Sequence, residues 1–404
     1  MTSSAAHPTA APSAPDRFPW LGLIVLSAAV FLSITAETMP MGLLPDMSVD
    51  LGVDEAAIGL LVTVFAFTVV VTSTPLVALT ARIPRATMMI AIVLVLAASN
   101  ILTAVATDYI VIIGARVLGG LGHGLFWSLV AAYASRLVPE HLIARAVSIT
   151  LTGGTLAFVL GVPLATALGH AIGWRWAFAA VAVAQLLAAL AIWRFLPRVE
   201  APVAAARAPG SAAVRDPGTP AVLLLCLTVA LVMVGHYAFY TYIAPYLTTV
   251  AGIPADAVSA ALFVFGLAGL VGLILSGTIL ARRPSLGLLS MMAVNGLALV
   301  VLALLAESFW IALVAFVLWG IAFGAIPPML QTRLLRAAAP ERRDIASAFY
   351  TTAFNTGIGG GALLGGIVMR GSELGGLPLF DLALLAVGMV VVLIAVKRTS
   401  ARPA

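Results

Sequence analysis

A single cysteine, Cys226, excludes an internal disulfide and any metal site built on cysteine pairs. Charge is scarcer still. Only 9% of the residues are Asp, Glu, Lys or Arg, against about 25% in an ordinary soluble domain. That shortage argues against a soluble globular protein. It also leaves the apolar stretches without the paired acids, metal ligands or Ser/His/Asp sets that a membrane-embedded enzyme would need. The five histidines, His7, His123, His141, His170 and His236, stand at no ligand-like spacing, so no metal or other cofactor is expected. The formal charge of +5 would suggest nucleic acid in a soluble chain, but the placement of the basic residues gives it another meaning.

What is present is apolar sequence, 62% of the chain. A bilayer core needs about 20 apolar residues per helix, and such stretches recur near residues 20–44, 56–80, 86–106, 109–134, 143–169 and 174–196. A second series follows near 221–246, 256–281, 285–306, 309–334, 344–369 and 377–396. The first run is too long for the h-region of a cleavable signal and reads as a retained span. The expected architecture is an all-α membrane protein of twelve transmembrane helices in two pseudo-symmetric six-helix bundles. Residues 1–19 form an N-terminal tail, 20–196 the first bundle, 197–220 a Pro- and Ala-rich linker, 221–396 the second bundle and 397–404 a C-terminal tail.

All basic residues except Arg116, Arg175 and Arg370 fall in segments on one side of this arrangement. The opposite loops carry Asp46, Asp50, Asp54, Glu55, Asp108, Asp256 and Glu307. The positive-inside rule then places both termini and the linker in the cytoplasm of a cell with a multi-pass protein in its inner, or cytoplasmic, membrane.

The halves match at an offset of 200 residues. Pro45 pairs with Pro245 and Gly52 with Gly252. Ala81-Arg82-x-Pro84 pairs with Ala281-Arg282-x-Pro284, Gly120 and Gly124 with Gly320 and Gly324, and Arg136 with Arg336. A duplicated six-span unit accounts for these matches, and parallel repeats of this kind describe secondary transporters with a site between the halves.

Several segments then carry a family resemblance. They are Glu37-Thr-Met-Pro-Met-Gly-Leu-Leu-Pro45 with Asp50-Leu-Gly-Val53, Arg116-Val-Leu-Gly-Gly-Leu-Gly-His-Gly-Leu-Phe-Trp127, Gly161-Val-Pro163, Gly235-His-Tyr-Ala-Phe-Tyr-Thr-Tyr-Ile-Ala-Pro245 and Trp319-Gly-Ile-Ala-Phe-Gly324. Together they make the chain resemble the major facilitator superfamily, in its bacterial sugar and drug efflux branch. The resemblance implies alternating access around a central cavity and export of a sugar, drug or small metabolite driven by the proton gradient, by a monomer in a lipid bilayer. The same fold also accommodates a proton-coupled importer or a facilitator. Two departures stand out. Ala81 replaces the aspartate usual in the loop after span 2, leaving Arg82 and Arg85 there as candidate gating residues without an acid. Val162 separates Gly161 from Pro163 in span 5.

Apart from histidine, the ionisable residues well inside the expected spans are Glu37 and Arg116. A charged side chain at mid-membrane costs about 2.5–3.5 kcal/mol on insertion scales, so it normally faces a cavity or a partner. Glu37 is expected to bind the coupling proton while Arg116 holds its charged state; the alternative is a permanent structural pair. A histidine within a span either relays protons or bonds across helices. His123, between Gly122 and Gly124, reads as a packing residue, and His236 as either. With Tyr237, Tyr240 and Asn355 they form the candidate substrate-binding set, in which Phe239 and Tyr242 extend an aromatic wall on span 7. Gly120, Gly124 and Gly161 are expected to let helices approach closely, and Pro163 and Pro245 to kink theirs.

Overall fold

The computed structural model describes residues 18–80, 82–139, 142–197, 219–338, 343–372 and 374–400. Most of the expected N-terminal tail and linker, the end of the C-terminal tail, and Ala81 lie outside the described residues. Among the described residues, twelve helices are long and apolar enough to cross a membrane. In chain order, spans 1 to 6 are Trp20–Gly42, Glu55–Ser73, Arg85–Val105, Tyr109–Arg136, Arg145–Ile172 and Trp174–Phe195. Spans 7 to 12 are Pro220–Tyr240, Ala255–Arg282, Pro284–Leu305, Phe309–Ala337, Ala346–Gly371 and Leu374–Ala395. No strand occurs among the described residues.

Large apolar side chains such as Leu94, Leu187, Ile274 and Val390 are exposed along the outer faces of these helices, as lipid contact requires. Exposed tryptophans mark both borders. Trp20 and Trp193 lie at the end where the chain enters span 1, and Trp176 and Trp310 lie at the other, the positions that interfacial aromatic rings favour. The first of these is here called the basic end and the second the acidic end, after the loops they carry.

Span 1 packs on spans 5 and 6, span 2 on span 4, and span 3 on spans 4 and 6. The second half repeats the pattern: span 7 packs on spans 11 and 12, span 8 on span 10, and span 9 on spans 10 and 12. Span 2 meets span 11, and span 5 meets span 8, to join the bundles. The duplication is visible atom by atom. A Cβ on Gly120 would stand 2.8 Å from the Phe65 carbonyl, and one on Gly320 would stand 3.0 Å from the Phe265 carbonyl. Gly52 and Gly252 adopt φ of 63° and 64°, a left-handed conformation that glycine tolerates without steric cost.

Two expectations about helix continuity need correction. Span 1 was expected to reach Leu44 but ends at Gly42, and a short helix restarts over Leu44–Leu51. Span 7 was expected to continue through Tyr246 and to be kinked by Pro245. It stops at Tyr240, and Pro245 lies in a separate helix, Ile243–Thr249. Pro45 and Pro245 thus sit in the first turns of matching short helices, where a missing N–H leaves no bond unmade. Pro163 does act within a span. It follows a five-residue π-helical segment, Ala157–Gly161, a local widening that often accommodates an interrupted hydrogen-bond ladder.

Candidate functional site

Ser33 and Glu37 are four residues apart in span 1 and so share a face. Both reach His123 of span 4. Ser33 Oγ lies 2.9 Å from His123 Nδ1, and Glu37 Oε2 lies 3.3 Å from His123 Nε2. The imidazole is therefore engaged at both nitrogens, with its ring edge on Phe65 at 5.1 Å and Trp127 at 6.0 Å. All three polar groups are buried.

Arg116 lies two helical turns before His123 on the same span, fully buried. It was expected to pair with the Glu37 carboxylate. Instead its guanidinium donates to main-chain carbonyls: Nη1 to Ala36 at 3.1 Å, Nη2 to Glu37 at 2.9 Å and Nε to Leu61 at 3.5 Å. It also stacks over Phe65 at 4.3 Å. The rigid fork of arginine suits two adjacent carbonyls, and here it fastens span 4 to spans 1 and 2. The carboxylate is left to His123.

The second half fills the corresponding positions with rings. At the same offset Phe65, Arg116, His123 and Glu37 correspond to Phe265, Phe316, Phe323 and Tyr237. Phe265 contacts Phe316 at 5.0 Å, the aromatic counterpart of Arg116 over Phe65. His236 stacks between Phe323, at 3.3 Å, and Tyr240, at 5.3 Å, with Trp319 at 5.0 Å. His236 Nδ1 and Trp319 Nε1 are buried without a hydrogen-bond partner. Tyr237 contacts His236 edge-on.

The remaining candidates divide. Asn355 donates to the Thr351 carbonyl of its own helix. Tyr242 leaves the aromatic wall expected on span 7, because the helix has already ended. Its hydroxyl donates to the Ala362 carbonyl of span 11 at 2.8 Å and lies directly over Gly59 of span 2. Gly120 and Gly124 seat span 4 on span 2, and Gly161 seats span 5 on Thr35 of span 1. Arg82 is exposed at the basic end and Arg85 is half-buried.

One ionisable residue escaped the sequence reading. Asp381 of span 12 is buried, with 2% of its surface exposed. Its position one turn inside the expected apolar run was the available signal.

The contacts joining the bundles engage the middle and the acidic end of the spans. Thr63 Oγ1 donates to the Gly359 carbonyl at 2.9 Å, Arg370 pairs with Asp54 at 2.5 Å, and Gly266 packs on Phe158.

The chain as a whole has relatives among known proteins. Residues 26–362 match the family model described as Major Facilitator Superfamily. A probable sugar efflux transporter of Mannheimia succiniciproducens is 32% identical over 355 residues, covering 88% of each chain. One of Helicobacter pylori is 31% identical over 360 residues, covering 89% of this chain and 91% of its own. Among solved structures, an inward-facing, unoccupied bacterial homologue of the human lysosomal transporter Spinster superposes with a TM-score of 0.68 at 18% identity, covering 95% and 96% of the two chains. A mutant of the nucleoside transporter NupG gives 0.70 at 15% identity, covering 93% and 99%. Those two likenesses bear on the fold alone.

Proposed function

This chain belongs to the Major Facilitator Superfamily, and from that premise we propose that it exports a sugar or similar polyhydroxylated molecule by alternating access, in exchange for protons taken up at Glu37 and His123. That it is a membrane transporter and not an enzyme follows from the family and from its relatives. The direction, the coupling ion and the substrate are this reading's own.

The observation that carries the coupling is the buried Ser33–His123–Glu37 chain. One added proton swaps the donor role: ionised Glu37 accepts from Nε2–H of one His123 tautomer, and protonated Glu37 donates to Nε2 of the other, whose ring proton sits on Nδ1 facing Ser33. Ser33 keeps the ring oriented through Nδ1 in both cases. Arg116 holds the backbone beneath the carboxyl, so protonation alters the side-chain contact without releasing span 1.

The sugar assignment draws support from the names of the relatives and from the aromatic cluster of spans 7, 8 and 10. Ring faces suit the C–H surface of a pyranose, and its hydroxyls need polar partners. His236 Nδ1 and Trp319 Nε1 are free to supply them. With termini in the cytoplasm, the contacts at the acidic end correspond to a state closed toward the outside.

The test is accumulation of labelled sugars, with apolar cationic drugs in competition, by inverted vesicles carrying the protein. An acid lumen should drive uptake above the gradient-free level, and sugars should compete better than drugs. Uptake indifferent to the pH gradient would identify a facilitator, and accumulation only by right-side-out vesicles would identify an importer.

A further inference from the structure

Among the described residues, the buried carboxylic acids are Glu37 and Asp381, and nothing in the coupling scheme above uses the second. Asp381 sits one helical turn beyond Leu377 in span 12 and points at span 7. There Gly235 presents bare backbone: a Cβ at that position would stand 2.5 Å from Asp381 Oδ1. The carboxyl therefore occupies space that any larger residue at 235 would claim. Its Oδ2 is shut off from solvent and has no hydrogen-bond partner.

Among the described residues, no compensating charge faces it. Span 9, packed on span 12, carries no ionisable residue; its buried Asn295 is neutral, with its own Oδ1 unpartnered. On span 7, Cys226 lies more than two turns away, and His236, Tyr237 and Tyr240 engage one another and the rings of spans 8 and 10. On span 11, which touches both helices, Tyr350 bonds to the Pro327 carbonyl and Arg370 to Asp54. A carboxylate in such surroundings is far costlier than a carboxylic acid. A metal ion needs several oxygen ligands, and no cluster of His, Cys, Asp or Glu suited to one occurs among the described residues. A proton is the ligand that fits.

We propose that Asp381 is a second intramembrane protonation site, loaded while span 12 is packed against Gly235 and emptied when that contact loosens and water reaches the carboxyl. The site lies behind span 7, whose next residue, His236, anchors the aromatic cluster. Its proton thus bears on the helix that carries the candidate ligand wall, separately from Glu37.

Infrared difference spectroscopy of the full-length protein in lipid, with aspartate carboxyls labelled by carbon-13, tests this directly. Exposed aspartates are ionised near pH 7, so a protonated-aspartate carbonyl band at that pH reports a buried site. The expected result is a band present at pH 7, lost on raising the pH, absent in Asp381→Asn and retained in Glu37→Gln. The last arm separates this proposal from the role given to Glu37. A wild type without the band, a band that persists in Asp381→Asn, or one indifferent to alkaline pH would overturn it. Should Asp381→Asn fail to fold, Gly235→Ala carries the test: its methyl crowds Oδ1, so the frequency or titration midpoint of the band must move, and an unmoved band refutes the placement.

Discussion

At residue scale, Glu37 and Arg116 look alike in sequence, as two charges within apolar spans, yet they do different work. Glu37 has its carboxyl on a titratable partner, whereas Arg116 spends its donors on backbone. Their substitutions should separate accordingly. Glu37→Gln keeps the size of the side chain and removes the exchangeable proton. Accumulation driven by an acid lumen should fall to the gradient-free level while equilibrium binding of the sugar, read by calorimetry, is retained; unchanged gradient-driven accumulation would sink the coupling role. Arg116→Leu instead leaves buried carbonyls without donors, at about 1–3 kcal/mol for each one unpaired. Its signature is a lowered unfolding midpoint in detergent, and Arg116→Lys should recover only part of that loss, because one ammonium does not reproduce the fork.

At the scale of helices, hydropathy and the repeated offset were enough to count and pair the spans, because lipid demands about 20 apolar residues per crossing and duplication preserves glycine and proline positions. What escaped is what hydropathy does not register. The segment from Tyr240 to Tyr246 remains apolar through a helix break, so span 7 was read as continuous and Tyr242 was given to the wrong neighbours. Asp381 was passed over because one acid near the end of a long apolar run barely changes its mean. The His123–Glu37 contact was half legible: the four-residue spacing of Ser33 and Glu37 gives a polar stripe, but its register against span 4 emerges only from packing. Glycine at that packing surface gives a sharp expectation. Gly120→Ala would place a methyl 2.8 Å from both the Phe65 carbonyl and Thr68 Cβ, an overpacking that typically costs about 1–3 kcal/mol. Gly114→Ala, six residues earlier on the same span and facing open space, should be neutral or stabilising by up to about 1 kcal/mol. Thermal unfolding of the two variants side by side checks this, and equal midpoints would remove the packing argument.

For the whole molecule, the question is what holds the two bundles together at the acidic end. Asp54–Arg370 is the one charged link between halves among the described residues, and more than half of each side chain is exposed. An exposed ion pair contributes only about 0–1 kcal/mol, so it biases the closed state without locking it. The buried Tyr242 hydroxyl, bonded to Ala362 over Gly59, and the Thr63–Gly359 bond add the directional contacts beneath it. Breaking the outer pair with Arg370→Gln should therefore raise the open population by no more than about fivefold, the factor that about 1 kcal/mol allows. Thr63→Cys, in a Cys226→Ser background, reports that population through its labelling rate with a membrane-impermeant thiol reagent applied from the acidic end. Adding Arg370→Gln should speed labelling several-fold. A disulfide between Asp54→Cys and Arg370→Cys should suppress labelling and transport together, and reduction should restore both. If the crosslinked protein still transports, the acidic end is not a gate, and the rocking of two bundles about spans 2, 5, 8 and 11 is the wrong description of how this chain moves its substrate.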